Sequence, residues 1–291
     1  MEISIITGEK FQYLCDCYIG NGSLFQKNAH IYNDTLYEDK IVPIENIVDN
    51  ELLLNSRRIF IYTHSLFRNR KNKNIIEIFN TQLKKKTEEF ILVFHNSDDT
   101  LDESIFPLIN NTKCVKIYGQ NVNTHDKMIQ YLPIGIANQK WKHGNKLLLK
   151  NIINKNIKKQ NNIFFNFTIN TNHAKRQPCL NALRNKIPFV TAYPNQHSYL
   201  EALASCKFCI VPDGNGFDSH RLWECLYLNT IPICIKNTFS EIISKDFPIY
   251  LINDWNELNI DDIYQHYDEL IKYLNENKLD FSYWKQIITN K

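Results

Sequence analysis

The residues best placed to do chemistry lie in one stretch, 207–235. Arg221 and Glu224 stand three apart, so a helix there puts a guanidinium and a carboxylate on one face and Leu222, Cys225 and Leu226 on a separate apolar stripe. A guanidinium forks two oxygens of a diphosphate. A carboxylate accepts from the vicinal hydroxyls of a ribose. Upstream, the apolar run 208–211 reads as a buried strand stopped by Pro212, with Gly214, Asn215 and Gly216 supplying the sharp loop that a strand-to-helix turn needs. Asp218 or Ser219 then caps the helix, and its first free N–H groups, beside Ser219 and His220, make an anion site. The plainer reading of the same residues is a capped helix with an exposed ion pair worth about 0.3 kcal/mol.

A second basic pair, Lys175 and Arg176, follows the apolar run 163–167 and opens another helix. Cations at a helix N-terminus oppose its dipole, which calls for an anion beside them. Tyr193, at the end of a run at 189–192, is placed to stack on a base or simply to pack. Thr238-Phe-Ser-Glu241 reads as a capping box. For a general base the leading candidate is Asp98, because His95-Asn-Ser-Asp98 follows the strand 90–94 at the end where open α/β sheets place ligands. His64 holds the equivalent place after 58–62. His95 ranks third and Asp16 is a weaker option, while each of these carboxylates has a structural alternative as a cap.

The elements that must position these groups are short apolar runs, rich in β-branched and aromatic residues, at 3–6, 58–62, 90–94, 115–118 and 132–136. A second series falls at 163–167, 189–192, 208–211, 231–235 and 249–252, with helical stretches at 174–184, 198–205, 219–228 and 240–244. Continuous apolar runs alternating with helices predict an α/β protein with parallel sheets. The expected organisation is an N-terminal domain, 1–140, that binds the acceptor, a polar linker at 141–161, and a nucleotide-binding-type domain at 162–275. A C-terminal helix, 276–291, is expected to pack back on the first domain, and two such domains facing each other make a ligand cleft.

Composition narrows the partners. The 291 residues are 43 % hydrophobic, enough for a large core. Lys and Arg number 34 against 31 Asp and Glu, a formal charge of +3, so no global field argues for nucleic acid or a membrane surface. The eight cysteines lie mostly in apolar runs and read as reduced core residues. The only close pairs, Cys15/Cys17 and Cys206/Cys209, lack a second Cys/His pair at zinc-site spacing, so no metal is expected. No run approaches the roughly 20 apolar residues of a membrane helix, and residues 1–8 read as a strand rather than a secretory signal, so a cytoplasmic protein is expected.

Pro212, Gly214, Gly216, Arg221, Glu224 and Ile231-Pro232 together resemble the donor-binding motif of exostosin-like glycosyltransferases, most strongly over 198–255. His95-Asn-Ser-Asp98 and Leu132-Pro-Ile-Gly-Ile-Ala-Asn138 are similar to a subset of these enzymes, including viral ones. The resemblance implies two Rossmann-like domains of GT-B type, with Glu224 on the ribose of a nucleotide sugar, a UDP-sugar being favoured. It also implies transfer to a glycan without a cofactor, the leaving diphosphate being held by Arg176, Arg221 and a helix N-terminus. An inverting displacement with Asp98 as base is the chosen course. The alternatives are a retaining transferase on the same fold and a non-catalytic nucleotide or nucleic-acid binder using the basic stretches 68–73 and 150–159.

Overall fold

The computed structural model describes residues 3–21, 38–67 and 74–290; the basic stretch 68–73 lies outside them. The chain divides into two compact units, one made of Thr7–Ile134 with the residues from Trp284 onward, the other of Gly135–Tyr283 with the residues up to Ile6. Each is built on a parallel sheet.

In the first unit the described residues form six strands in the order β2-β1-β3-β4-β5-β6. These are β1 (Cys17–Gly20), β2 (Ile41–Pro43), β3 (Arg58–Tyr62), β4 (Phe90–His95), β5 (Cys114–Gly119) and β6 (Ile129–Tyr131). Every residue of β4 is buried, as a strand covered on both faces requires. The helix Ile75–Lys84 buries Ile75, Phe79 and Leu83, spaced four apart on one face. Lys86 closes the carboxyl end of the helix Glu51–Asn55, its Nζ donating to the carbonyls of Leu53, Leu54 and Ser56 at 3.0, 2.7 and 2.7 Å. Asp16 accepts from the Arg57 and Arg58 amides and from the Arg58 guanidinium, at 3.0, 2.8 and 2.8 Å, which commits it to the amino end of β3. Trp284, in the helix Phe281–Thr289, meets Tyr131 edge-on at 5.2 Å.

The second unit carries four strands in the order β10-β9-β8-β7, namely β7 (Gln160–Phe164), β8 (Cys206–Ile210), β9 (Ile231–Ile235) and β10 (Tyr250–Ile252). Phe208, Ile210, Ile231 and Ile233 of the two inner strands meet Phe165, Phe167, Cys179 and Leu183 in its core. The helices Lys146–Asn154, His173–Leu183, Gln196–Ser205 and His220–Tyr227 belong to it. All eight cysteines are free thiols and seven are buried.

Several expected elements differ. Residues 3–6 form no strand ladder; Ile6 accepts from Ile136 N–H at 3.0 Å and donates to the Tyr227 hydroxyl at 2.9 Å, a two-point strap. The run 132–136 lies beyond β6, where Pro133 lacks a donor and Gly135 takes a left-handed φ of 66°. At 189–192 only Val190 is tied in, to Phe165 O and Asn166 Nδ2, so no strand forms. β1 and β2, four and three residues long and ending in Gly and Pro, were too short for a periodic signal. The capping box sits one residue earlier than expected, Asn237 and Ser240 exchanging bonds of 2.8 Å each.

Candidate functional site

The carboxyl ends of β7 and β8 gather most of the residues singled out from the sequence. After Ile210, the loop to Ser219 is gripped from the neighbouring βα turn. Asn172 Nδ2 donates to Gly214 O at 2.6 Å, and Arg176 donates through Nε to Asp213 O at 3.0 Å and through Nη1 to Thr168 O at 2.7 Å. Asp218 accepts from the Trp223 indole at 2.6 Å, tying the loop's end to the first buried turn of the helix. The sharp turn does not depend on glycine torsions. Gly135 is the one described glycine at positive φ, and a Cβ on Gly214 would meet Arg176 Nη2 at an ordinary 3.5 Å. Gly214→Ala should therefore stay within about 0.5 kcal/mol of wild type in urea unfolding.

The helix His220–Tyr227 departs from the two-faced pattern expected of it, since Leu222 through Tyr227 are all buried. Ser219 holds the N-cap position with extended backbone but makes no capping bond, and its hydroxyl is buried without a hydrogen-bond partner. Arg221 is drawn inward, its guanidinium carbon 5.8 Å from the Phe164 ring centre and 5.5 Å from that of Tyr199. Nη2 reaches Asn166 Oδ1 at 3.4 Å, whereas Nη1 is buried with no partner. Buried donors are almost always satisfied in folded proteins, so two orphans two residues apart leave room for an acceptor.

Glu224, 6 % exposed, accepts a 2.6 Å bond from the Tyr199 hydroxyl. Burial lifts its carboxyl above the usual range, outweighing the Tyr199 bond and the Arg221 charge, which pull it down. Burial also lowers Arg176, to about 10, and the Arg221 charge adds to that. Two guanidinium groups that repel each other in a half-buried site are relieved by an anion of two or more charges. Lys175 is exposed at the same helix start. Tyr193 lies flat on Phe164, centroids 5.5 Å apart and rings 11° from parallel, with Tyr199 edge-on to both. Neighbouring His220 donates through Nδ1–H to Gly135 O at 2.9 Å.

Glu224 also sets a pH dependence. A carboxyl whose folded pKa exceeds the unfolded value near 4.3 favours the folded state while protonated, and that contribution is lost as pH rises through the folded value. Gln at 224 still accepts from Tyr199 but cannot ionise. The melting temperature of Glu224→Gln relative to wild type should therefore climb between pH 4 and pH 8; a difference that stays level would mean Glu224 titrates normally.

In the first unit, His64, His95 and Asp98 lie at the carboxyl ends of β3 and β4. His95 is fully buried against Phe11, its Nε2 3.2 Å from Pro133 O and its Nδ1 accepting from Asn96 N–H at 2.9 Å. That pair of partners sets the Nε2–H tautomer. The His64 amide donates to Ser97 Oγ at 3.2 Å and its ring Nδ1 lies 3.3 Å from the same oxygen. Asp98 is exposed in the loop that follows Asn96, which has a left-handed φ of 55°. The fold thus joins His64 to the Ser97–Asp98 turn and places His95 in the core. Tyr199, Asn166, Asn172 and Ser97 were not picked out from the sequence. Only Asn172 carried a signal, as an N-cap residue three before Lys175.

Among the described residues no group of three or more His, Cys, Asp or Glu is placed to hold a metal ion, and no helix is long and apolar enough to cross a membrane. Fold and site define an α/β protein whose second parallel sheet ends in a cluster of two arginines, a buried glutamate and stacked aromatic rings. No protein-family model matches the chain, and no curated protein matches its sequence. Among solved structures it is similar to an α-glucosyltransferase in complex with UDP and a 13-mer DNA containing a central A:G mismatch, with TM-score 0.36 and 11 % identity over 93 % of this chain and 94 % of that one. An α-glucosyltransferase in complex with UDP-glucose and DNA containing an abasic site gives TM-score 0.34 and 11 % identity, over 92 % and 93 %. Likeness at that level carries no weight for the chemistry, which rests on the chain's own residues.

Proposed function

We propose that the protein is a glycosyltransferase that takes a nucleotide sugar, a UDP-sugar in the favoured case, at the carboxyl ends of β7 and β8. The observation that carries this reading is the pair of orphaned donors, Arg221 Nη1 and Ser219 Oγ, close in sequence to the buried acceptor Glu224 and accompanied by Arg176. A diphosphate satisfies the first set and a ribose hydroxyl pairs with the carboxylate. Tyr193 and Phe164 offer the base a flat surface. Gly214, Asn215, Gly216 and His220 frame the site, and Lys175 adds charge at its rim.

In the transfer, an acceptor hydroxyl gives its proton to the Asp98 carboxylate and its oxygen bonds to the anomeric carbon. The bond from that carbon to the diphosphate breaks, and the diphosphate leaves with the electron pair. Arg176, Arg221 and the first amides of the helix His220–Tyr227 stabilise that leaving charge, with His64 and His95 as support for the base's turn. The test is calorimetric titration with UDP, GDP, ADP and inorganic phosphate, followed by donor turnover with product anomers assigned by NMR. Saturable binding of one nucleoside diphosphate, tighter than phosphate, is the expected result; phosphate binding as tightly as every nucleotide would reduce the site to a plain anion sink. An inverted product supports the single displacement and a retained one removes Asp98 as base.

A further inference from the structure

Between Gly135 and Leu200 the chain has eleven lysines and arginines and no aspartate or glutamate. The near-neutral total hides this, because the remainder carries 23 cations against 31 carboxylates. The stretch lies in the second unit, the one that holds the proposed anion site, and the carboxylates of that unit fall almost entirely in residues 201–283.

A charge excess alone is ordinarily a solvated face, but this stretch also displays an aromatic with a lysine on either side of it in sequence. Trp141 is 53 % exposed, whereas the chain's other tryptophans, Trp223, Trp255 and Trp284, are buried. Lys140 Nζ lies 5.3 Å from the indole centre, and the His143 ring runs nearly parallel to it, 15° off and 6.3 Å away. The loop is braced. Trp141 N–H donates to Asn138 O at 2.9 Å, Gly144 N–H to Trp141 O at 2.8 Å, and Gln196 Nε2 to His143 O at 2.6 Å. Gly144 packs so closely that a Cβ would sit 2.1 Å from Asn138 O. His143 in turn lies 6.3 Å from His220, the first residue of the site helix. A large apolar ring is therefore held out in water by a built turn next to the anion site.

A carbohydrate platform pairs its aromatic with carboxylates that accept sugar hydroxyls, and here the local sequence supplies none. Cations around a stacking ring fit a polymer that is both anionic and aromatic. We propose that the Trp141 loop docks single-stranded nucleic acid, an unpaired base stacking on the indole and its phosphates meeting Lys140, Lys142 and the basic surface after them. This rests on the nucleotide-sugar reading, for which it names the acceptor and replaces the glycan expected from the sequence. The expectation of no nucleic-acid partner came from the whole-chain charge, which averages this surface away.

The test uses the full chain and a fluorescein-labelled dT12 strand, followed by anisotropy at 50 and 200 mM NaCl and by quenching of tryptophan emission. Linear polyphosphate and neutral maltoheptaose serve as parallel probes. Binding of dT12 that weakens with salt and quenches emission is expected. Trp141→Ala should lower its affinity roughly tenfold to a hundredfold, and Lys142→Gln should flatten the salt slope by about 0.7. Polyphosphate binding as tightly as dT12 with Trp141→Ala silent overturns the proposal, as does quenching by maltoheptaose without dT12 binding. UDP titration of the same preparation separates the two ideas. UDP binding without dT12 binding sinks this proposal alone, whereas dT12 binding without UDP binding sinks the nucleotide-sugar reading and with it the acceptor role of the loop.

Discussion

Replacing Arg221 by alanine should weaken UDP binding by about a hundredfold in calorimetric titration. A charge-assisted hydrogen bond in a dry site contributes about 1.5–3 kcal/mol, and each 1.4 kcal/mol is a factor of ten. Arg221 offers more than one such bond, with Nη1 buried and unpartnered and its guanidinium packed near the rings of Phe164 and Tyr199. The fold itself should suffer less, because Nη2 has only a long 3.4 Å bond to Asn166. Losing the cation also removes a charge that pulls the buried Glu224 carboxyl down, so Glu224 should become harder to ionise in the variant. Arg221→Lys keeps the charge and loses the fork, and should recover only part of the affinity. An unchanged UDP affinity in Arg221→Ala, with the melting temperature preserved, would place the nucleotide elsewhere.

Gly135→Ala should be strongly damaging for a single added methyl, with an expected loss of about 3 kcal/mol in urea unfolding or no soluble protein. Gly135 has φ of 66°, and a Cβ there would lie 2.2 Å from Ile6 O and 2.5 Å from Ile6 C. Those are backbone atoms, which cannot swing aside as a side chain would. The cost adds left-handed strain to overpacking worth about 1–3 kcal/mol. Ile6 and Gly135 are also tied to the two ends of the site helix, through the Tyr227 hydroxyl and His220 Nδ1, each at 2.9 Å. A forced shift at Gly135 should therefore carry over to the proposed nucleotide site. A variant that melts like wild type would mean that the strap of residues 3–6 yields freely.

The longer inner strands of both sheets were legible in the sequence because a strand covered on both faces must be a continuous apolar run, and β3, β4, β8 and β9 are that. The site segment was legible for a related reason. A strand, a proline and a polar loop followed by Arg221 and Glu224 is local chemistry, three to ten residues long, and local spacing survives folding. Short or irregular elements were less legible, the inner strand β1 among them. β1 and β2 are short, 189–192 is apolar without a ladder, and 132–136 bends away at Gly135.

From sequence alone come the α/β class with parallel strands, the nomination of Arg176, Arg221 and Glu224, and the exclusion of zinc-type cysteine spacing. Only the tertiary structure decided what those residues face. It turned Arg221 and Glu224 from an expected surface pair into a half-buried guanidinium and a buried carboxylate, because the helix that carries them is covered nearly all round. It supplied Tyr199 and Asn166 from 25 and 55 residues away in the chain, sank His95 into the core, and left Trp141 in water while the other tryptophans were buried. Side-chain identity and spacing fix what a residue is able to do. Burial and partners, which arise between segments distant in the chain, set its charge state and whether a ligand can reach it.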